Sequence, residues 1–563
     1  MAQKQVRRYA QPNMLRDESI TRLSTSAFDL LVIGGGINGA GIARDAALRG
    51  LRVALVEQAD FASGTSSRSS RLIHGGVRYL EHGQFHLVFE SSRERRTLMR
   101  IAPHLVRPLA FLWPVYRGAR VNRVMLAAAL TTYDALALFR NVQPHTRLSA
   151  REALTIEPGL LGGEKQILRT AQDDKGLLGA ARYYDAATDD SRLTLANIIA
   201  AERAGAVVVN HARVESLVRD GARVAGATIR DGESGVLLTA RARVVVNATG
   251  PWSDAIESMV RTTTAAGVHG SKGVHINVPR ERVGNHAALT LLAPQDGRVM
   301  FILPAERFTI IGTTDTFDDV APEHVRATHA DVRYLLDSAN YFFPGARLTE
   351  ADVVSAWAGI RPLAAMAGTA SGPGSASREH AISETAPGLV RVTGGKLTTY
   401  RSMSAQVVDT VQKILGAPII HSRTANVPLP GGDVADVAGL IAEAALAVGA
   451  RDVAHRLVFA HGSEWRQVWA LVEHDANLGA RVAAGAPYIM AEARYAVEHE
   501  LARTLGDLLI RRMPVAFETR DHGRDAARRI VPLVSRWLGW DDAGGTRALG
   551  HYDAEVEQMF TID

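Results

Sequence analysis

The sequence predicts a mixed α/β fold with at least two domains, and three observations support this. A strand pattern, a glycine-rich turn, a helical pattern and a second strand pattern follow one another at residues 28–57. More apolar strand patterns lie downstream, and residues 431–563 are rich in Ala, Leu, Val and Arg at helical spacing. At 563 residues the chain also exceeds the size that one hydrophobic core usually serves.

The first element is a βαβ unit. Residues 28–34 (FDLLVIG) lack polar alternation, which is typical of a parallel strand covered on both faces. Residues 37–48 have helical composition, and Gly50 lies where a helix would end. Residues 52–57 (RVALVE) predict the second strand.

The turn inside this unit carries a dinucleotide signature. Gly34, Gly36 and Gly39 satisfy G-x-G-x-x-G, where the glycines permit a tight turn, backbone approach to a pyrophosphate and close helix–strand packing. Glu57 ends the second strand, where a carboxylate would accept hydrogen bonds from ribose hydroxyls. The pattern predicts a Rossmann-like site and does not distinguish NAD from FAD.

Further strands and a domain boundary can be placed downstream. Buried-strand patterns occur at residues 205–209, 244–247, 308–311 and 388–392. Residues 426–433 (NVPLPGGD) predict a boundary, with residues 28–430 before it and an all-helical C-terminal domain at 431–563. Residues 1–27 are basic and lack an apolar stretch, which predicts a flexible N-terminal extension rather than a secretory signal.

Composition excludes several classes of site. With no cysteine, the chain has no disulfide, thiolate metal site or thiol nucleophile. No run approaches the roughly 18 apolar residues of a membrane-spanning helix. The net charge of +5 favours anionic partners, but the arginines are spread along the chain, so nucleic acid is the weaker interpretation. No metal site is predicted.

Two later segments favour a flavin. Residues 244–254 (VVVNATGPWSD) resemble the second nucleotide contact of many FAD oxidoreductases. Residues 390–401 (VRVTGGKLTTYR) again combine a strand, a glycine pair and a helix start, which would offer N–H groups to a flavin carbonyl.

With these and other motifs in order, the chain resembles the FAD-dependent, quinone-linked glycerol-3-phosphate dehydrogenase family over about residues 27–560. The motifs are GGGINGAGIARDAALRG (34–50), TSSRSSRLIHGGVRYLE (65–81), ATGPW (248–252), IIGTTD (310–315), GIRPL (359–363), GGKLTTYR (394–401) and HELARTLGDLLIRR (499–512).

The resemblance implies an FAD-binding domain interleaved with an antiparallel-sheet substrate domain, followed by a helical cap domain. It implies oxidation of sn-glycerol 3-phosphate to dihydroxyacetone phosphate, with electrons passed to a membrane quinone. The protein would then be cytoplasmic and peripherally attached to the inner face of the cytoplasmic membrane. A homodimer is left open.

The resemblance also implies a set of cofactor residues. Arg71 stands where some relatives have lysine, which keeps the charge and alters its geometry. The implied FAD contacts are Gly34, Gly36, Gly39, Glu57, Ser66, Ser70, Arg71, Leu72, Ile73, Thr249, Gly250, Lys396, Leu397 and Thr398.

A phosphate substrate calls for cationic donors, and guanidinium binds phosphate oxygens in a planar fork. Arg78, with neighbouring Tyr79, and Arg361 lie inside family motifs, whereas Arg378 matches more loosely and could equally be a surface residue. Arg361 is expected in an apolar loop, where a cation would need an anion. It would bind the substrate oxygen and stabilise developing alkoxide charge.

The base is expected to be His275, which would begin a strand and match the family's inward-facing histidine. Imidazole suits proton transfer near neutrality. His74, close to the expected flavin, is the rival, and it could instead hold the ring, tune its potential or bind the substrate. The sequence does not decide between them.

The membrane contact and the electron acceptor also remain open. Residues 117–140 have an apolar middle framed by arginines and interrupted by Asp134, which fits either an interfacial helix or an internal one. A soluble glycerol-3-phosphate oxidase that makes peroxide is the alternative function. An amino-acid oxidase would not need these arginines, and a non-catalytic flavin sensor is less favoured.

Overall fold

The structure of the chain, a computed structural model, describes residues 12–77, 83–138, 140–160, 176–260, 269–317, 320–363 and 380–563. Its strands, in chain order, are β1 (Ala27–Ile33), β2 (Val53–Val56), β3 (Leu72–Ile73), β4 (Val106–Tyr116), β5 (Thr146–Leu148), β6 (Leu177–Thr188), β7 (Val207–Val209), β8 (Ala212–Asp220), β9 (Arg223–Asp231), β10 (Leu237–Asn247), β11 (His269–Pro279), β12 (Ala288–Leu292), β13 (Val299–Ala305), β14 (Phe308–Gly312), β15 (Thr316–Phe317), β16 (Ser355–Leu363), β17 (Ala381–Ala386) and β18 (Leu389–Thr393).

The helices, in the same order, are α1 (Pro12–Thr25), α2 (Ile37–Leu48), α3 (Phe85–Ile101), α4 (Arg123–Leu136), α5 (Ala150–Ile156), α6 (Asp190–Arg203), α7 (Ser253–Ser258), α8 (Arg280–Val283), α9 (His329–Phe342), α10 (Tyr400–Ile414), α11 (Val437–Val448), α12 (Arg451–His461), α13 (Trp465–His474), α14 (Met490–His499), α15 (Val515–Glu518), α16 (Arg524–Leu538) and α17 (Asp542–Phe560). A π-helical turn covers Asp507–Arg512.

The first sheet carries the nucleotide-type fold. Its main path runs β17-β18-β10-β1-β2-β7, and β18, β10, β1, β2 and β7 are parallel neighbours. Leu30 and Val32 of β1 are fully buried, with aliphatic side chains of α2, α6 and α10 packed around them. Burial of aliphatic side chains on both faces explains why the run from 28 to 34 lacks polar alternation.

The second sheet is mostly antiparallel. Its main path runs β15-β11-β14-β13-β12-β4-β6-β3, and β16 pairs along β11. In this register Ser271 lies opposite Arg361, and His275 lies opposite Trp357. The sheet therefore brings two distant sequence segments side by side.

The N-terminal expectation is wrong for residues 12–25, which form α1 instead of a flexible extension. Arg16 is the reason: its Nη2 donates to Asp231 at 2.6 Å, its Nε pairs with Glu233 at 2.9 Å, and its Nη1 donates to the Asn210 carbonyl at 2.9 Å. Arg16 and Asp231 are both buried. Arg16 therefore anchors a segment that was predicted to be flexible.

The C-terminal helices are held to the first sheet by buried ion pairs. Asp60 accepts from Arg511 Nε at 2.6 Å and from Arg512 Nη2 at 3.0 Å. Arg192 of α6 donates to Glu500 at 2.8 Å. Breaking one side of such a pair leaves an uncompensated buried charge, so these contacts fix how the C-terminal helices dock.

Candidate functional site

A cavity of about 550 Å³ is lined by residues from both sheets. It brings together many residues that are far apart in the sequence. Those among the predicted site residues that line it are Gly34, Gly36, Glu57, Ser66, Ser70, Leu72, His74, Thr249, Gly250, His275, Arg361, Lys396 and Leu397.

The glycine-rich turn makes one end of this cavity. Gly34 has φ +109°, and a Cβ there would lie 2.7 Å from the carbonyl oxygen of Ala248. A Cβ on Gly39 would lie 1.9 Å from the oxygen of Gly34, so Gly39 packs α2 against the turn and does not line the cavity. Side chains are excluded where the backbone must come close.

The start of α2 faces the cavity without an N-cap side chain from Gly36. The amide of Ile37 donates to Ser66 Oγ at 2.9 Å. A helix N-terminus with exposed N–H groups and a partial positive charge is suited to bind phosphate.

Glu57 stands at the same end, directly after β2. Its Oε2 accepts from the Gly35 amide at 2.7 Å and its Oε1 from the Ala59 amide at 2.9 Å. Burial raises the pKa of Glu57, while these two amides act in the opposite direction. The carboxylate is thereby fixed in orientation, and each oxygen keeps a lone pair for another donor.

Thr398 joins the segment 390–401 to the motif at 65–81 without lining the cavity. Its Oγ1 accepts from the His74 amide at 3.1 Å and donates to the His74 carbonyl at 3.2 Å. His74, Lys396 and Leu397 line the cavity on either side of this link. Ile73 is fully buried in β3 and contributes to the core.

The structure does not bring the Arg71 side chain to the cavity. Its guanidinium lies over the ring of Phe517 at 4.8 Å and near that of Trp357 at 5.7 Å, so it contacts the C-terminal helices. Cation–π contact of this kind favours a guanidinium stacked on aromatic faces. A cofactor contact by Arg71 through its main chain stays a prediction.

His275 lies in the middle of β11, not at the start of a strand as expected. Its Nε2 is 2.8 Å from Ser70 Oγ, and its ring stacks on Trp357 with centroids 5.5 Å apart. Burial, then the guanidinium groups of Arg361 and Arg71, lower the pKa of His275 to about 3. The imidazole is therefore neutral at physiological pH and able to accept a proton, but its pKa lies well below the near-neutral value expected for a general base.

Arg361 lies in β16 and not in a loop, and its charge has an acidic partner. Its Nη1 donates to Asp315 at 3.1 Å and to Ser271 Oγ at 3.2 Å, and its Nη2 donates to Thr313 Oγ1 at 2.9 Å. A partly buried guanidinium needs an anionic partner. The carboxylate of Asp315 is such a partner.

Three predicted substrate residues, Arg78, Tyr79 and Arg378, lie outside the described residues. Their roles stay predictions.

Sequence reasoning missed several residues of the site. Asp315 closes the IIGTTD motif, and its acidic side chain was the signal that could have found it. Trp357 lies two positions before the GIRPL motif, but its stacking on His275 depends on the β11–β16 register, which no local pattern reveals. Cavity-lining aromatic residues of β4, β6 and β13 were missed for the same reason: Phe111, Trp113, Tyr183 and Phe301.

Taken together, the cavity has a phosphate-binding turn at one end and a neutral imidazole beside a guanidinium elsewhere on its wall. Such a site can hold a dinucleotide and an anionic small molecule together, and it can accept a proton from the small molecule.

Two family models match the chain. Residues 29–401 match the family described as FAD dependent oxidoreductase, and residues 422–544 match the C-terminal domain of alpha-glycerophosphate oxidase.

Curated relatives match over nearly the whole chain. The chain is 40% identical to glycerol-3-phosphate dehydrogenase 2 of Mycobacterium bovis, over 95% of this chain and 89% of the relative. It is 36% identical to the mitochondrial glycerol-3-phosphate dehydrogenase of Homo sapiens, over 94% of this chain and 73% of the relative.

A solved structure extends the similarity to three dimensions. The glycerol-3-phosphate dehydrogenase from Bacillus halodurans, complexed with FAD, superposes with a TM-score of 0.78 at 31% identity. The match covers 97% of this chain and 99% of that chain.

Proposed function

Because this chain belongs to the FAD-dependent glycerol-3-phosphate dehydrogenase family, we propose that it oxidises sn-glycerol 3-phosphate to dihydroxyacetone phosphate and passes the electrons to a membrane quinone. The observation that carries the chemistry is the placement of His275 and Arg361 on adjacent strands, in one cavity with the glycine-rich turn.

FAD is the cofactor, and the cavity fits it. The turn at Gly34 leaves no room for a side chain, as a close-approaching pyrophosphate requires, and Glu57 presents an oriented carboxylate for ribose hydroxyls. The segment from Gly394 to Leu397 supplies a second backbone wall. When bound, FAD accepts two electrons from an alcohol as a hydride.

Side chains of the protein would bind the substrate, stabilise negative charge and accept the hydroxyl proton. Arg361, oriented by Asp315 and Thr313, would bind an oxygen of the anionic substrate and stabilise negative charge at the reacting hydroxyl. His275, neutral and fixed against Trp357, would take up the hydroxyl proton. Aromatic side chains around them would exclude water from the reacting atoms.

A membrane surface as partner is supported by α4. Its inner face is buried through residues such as Leu126 and Leu130, whereas Val124 is 78% and Met125 is 53% exposed. Asp134 does not interrupt the exposed face, because it is buried and accepts from Asn141 at 2.6 Å.

Exposed arginines frame this helix at positions 117, 120, 123 and 140. An apolar helix face flanked by cations suits the plane of anionic headgroups. Within the described ranges, every helix is too short or too polar to cross a bilayer.

The deciding experiment is anaerobic mixing of the flavin-loaded protein with sn-glycerol 3-phosphate while flavin absorbance is recorded, followed by admission of oxygen or a quinone analogue. Bleaching with reoxidation through quinone alone is expected. Reoxidation by oxygen with peroxide release would instead identify the oxidase. A flavin that glycerol 3-phosphate does not bleach would overturn the substrate assignment.

A further inference from the structure

The imidazole of His275 is part of the cavity wall, and its hydrogen bond is to another cavity-lining side chain. Its Nε2 is capped by Ser70 Oγ at 2.8 Å, and Ser70 itself lines the cavity. The other ring nitrogen, Nδ1, is enclosed and has no hydrogen-bond partner among the described residues. His275 as a whole is only 3% exposed. Nδ1 is therefore closed to a substrate.

The ring cannot turn to offer a different edge. It stacks on Trp357 at an interplanar angle of 12°. On the neighbouring strand, the imidazole of His275 fills the space beside Gly312, because a Cβ on Gly312 would lie 2.2 Å from His275 Cδ2. Close packing on both sides keeps Nε2 directed at Ser70.

The contact with Ser70 also determines which ring nitrogen of His275 must accept a hydrogen bond if His275 is the base. A neutral imidazole carries hydrogen on one nitrogen and accepts at the other. Since Nε2 is the ring nitrogen in contact with Ser70, Nε2 must be the acceptor for His275 to act as a base. Ser70 Oγ–H then donates to Nε2, and the other lone pairs of Oγ are left for a donor in the cavity.

We propose that Ser70 is a catalytic proton relay, through which the hydroxyl proton of the substrate reaches His275. This proposal rests on the proposed function. The substrate O–H bond breaks and its proton moves to Ser70 Oγ, while the Oγ proton moves to Nε2. The C2 hydrogen leaves with two electrons as a hydride to FAD, and the C2–O bond becomes a carbonyl. Ser70 ends neutral, and His275 ends as imidazolium.

The neighbours of Ser70 are fixed, as a relay requires. Ser69 donates to Asp190 through its amide at 3.1 Å and through its hydroxyl at 2.7 Å. Arg71 on the other side is held over Phe517. The backbone on both flanks of Ser70 is therefore anchored, and its side chain keeps one position between the cavity and the imidazole.

The kinetic test compares Ser70→Ala, Ser70→Thr and Ser67→Ala in the flavin-loaded protein. Ser67 is a matched control in the same loop, because within the part of the chain that the structure describes its hydroxyl donates only to the Gly64 carbonyl, at 3.4 Å. We expect Ser70→Ala to slow flavin reduction by sn-glycerol 3-phosphate about 10²-fold and to lower the solvent deuterium isotope effect. Ser70→Thr, which keeps the hydroxyl, should recover most of the rate. Ser67→Ala should match the wild type.

A second readout is independent of turnover. Nitrogen-15 NMR of histidine-labelled protein, with the His275 signals assigned by their loss in His275→Asn, should show the Nδ1–H tautomer in the wild type. In Ser70→Ala, the Nε2 signal should shift. If Ser70→Ala loses flavin, this NMR comparison alone decides the proposal.

Two results would overturn the relay: an Nε2–H tautomer in the wild type, or wild-type reduction rates in Ser70→Ala. Either result leaves the proposed function intact, because wild-type bleaching by the substrate tests that separately. If the wild type is not bleached by sn-glycerol 3-phosphate, the proposed function fails and the relay fails with it.

Discussion

The guanidinium of Arg361 donates to the carboxylate of Asp315 at 3.1 Å across the β11–β15–β16 end of the second sheet. The pair orients the fork of Arg361 before any substrate arrives. An oriented donor loses less entropy when it binds an anion, and it keeps a fixed direction toward developing charge.

Replacing Arg361 with Lys should lower kcat/KM for sn-glycerol 3-phosphate about 10²-fold while flavin content stays unchanged. A lysine ammonium is a point charge and cannot contact Asp315, Ser271 and Thr313 in one plane. Steady-state kinetics with a quinone analogue measures this. Arg528→Lys, at an exposed pair with Asp525, is the control. Equal kinetics in Arg361→Lys and Arg528→Lys would exclude the role given to the fork.

Replacing His275 with Asn should leave flavin bound and slow its reduction by the substrate about 10²- to 10⁴-fold, the range that general base catalysis contributes. Asparagine preserves a hydrogen bond to Ser70 but is not basic. Stopped-flow absorbance gives the rate. His329→Asn, at an exposed contact with Glu350, should behave as the wild type. An undiminished rate would transfer the role of base to His74.

Stability should fall as pH drops below about 6.5, partly through His104. Burial, then the guanidinium of Arg192, lower the pKa of His104 to about 3. The unfolded chain, with an ordinary histidine pKa of about 6.5, binds a proton that the folded chain does not, so stability is present above 6.5 and is lost as pH falls toward 3.

At pH 5 the contribution of this one group is about 2 kcal/mol, or about 2 °C in Tm for a chain of this length. His104→Gln should therefore lose about 2 °C less than the wild type between pH 7.5 and pH 5 in thermal unfolding. His329→Asn serves as the exposed control. Parallel curves for His104→Gln and the wild type would contradict the assignment.

Replacing Arg16 with Met should destabilise the protein by about 3–5 kcal/mol, because Asp231 would stay buried without its cation. Thermal unfolding measures the loss. The double variant Arg16→Met/Asp231→Asn should recover part of it, since the uncompensated charge is gone. A single variant as stable as the wild type would mean that α1 is not anchored through Arg16.

Replacing Val124 or Met125 with Glu should weaken sedimentation with vesicles that contain anionic lipid, because each places a negative charge on the apolar face of α4. Leu446→Glu is the matched control, since Leu446 is 89% exposed on α11. Equal weakening by all three variants would indicate a general charge effect and would count against α4 as the contact.

Local patterns predicted the βαβ unit well. The helix at 37–48 and the two strands around it depend on neighbours within the same 30 residues or so, where glycine placement and apolar runs carry the information. The residues of the site also fall into those that local spacing predicts and those that depend on distant segments. Glu57 and the glycine-rich turn could be read from spacing, whereas the contacts of His275 with Ser70 and Trp357 join segments from three distant parts of the chain.

Errors arose where a side chain's partner was distant in sequence. The segment that holds Arg16 was predicted to be flexible because its partner Asp231 lies 215 positions away. The motif around Arg71 is local, whereas the ring that its guanidinium covers belongs to α15. A residue type alone does not say which charge or ring it will meet.

The contact between β11, β16 and α15 also bears on synthesis. Asn277 Nδ2 and Ser355 Oγ both donate to the carbonyl of Phe517, at 3.0 and 2.7 Å, directly behind the strand positions of His275 and Trp357. A nascent chain that has not yet emerged as far as residue 517 lacks these two hydrogen bonds, although every residue that lines the cavity has already been translated. The cavity-lining residues are therefore translated before the residue whose carbonyl ties β11 to β16, and a chain truncated before residue 517 would be defective in chemistry as well as in folding.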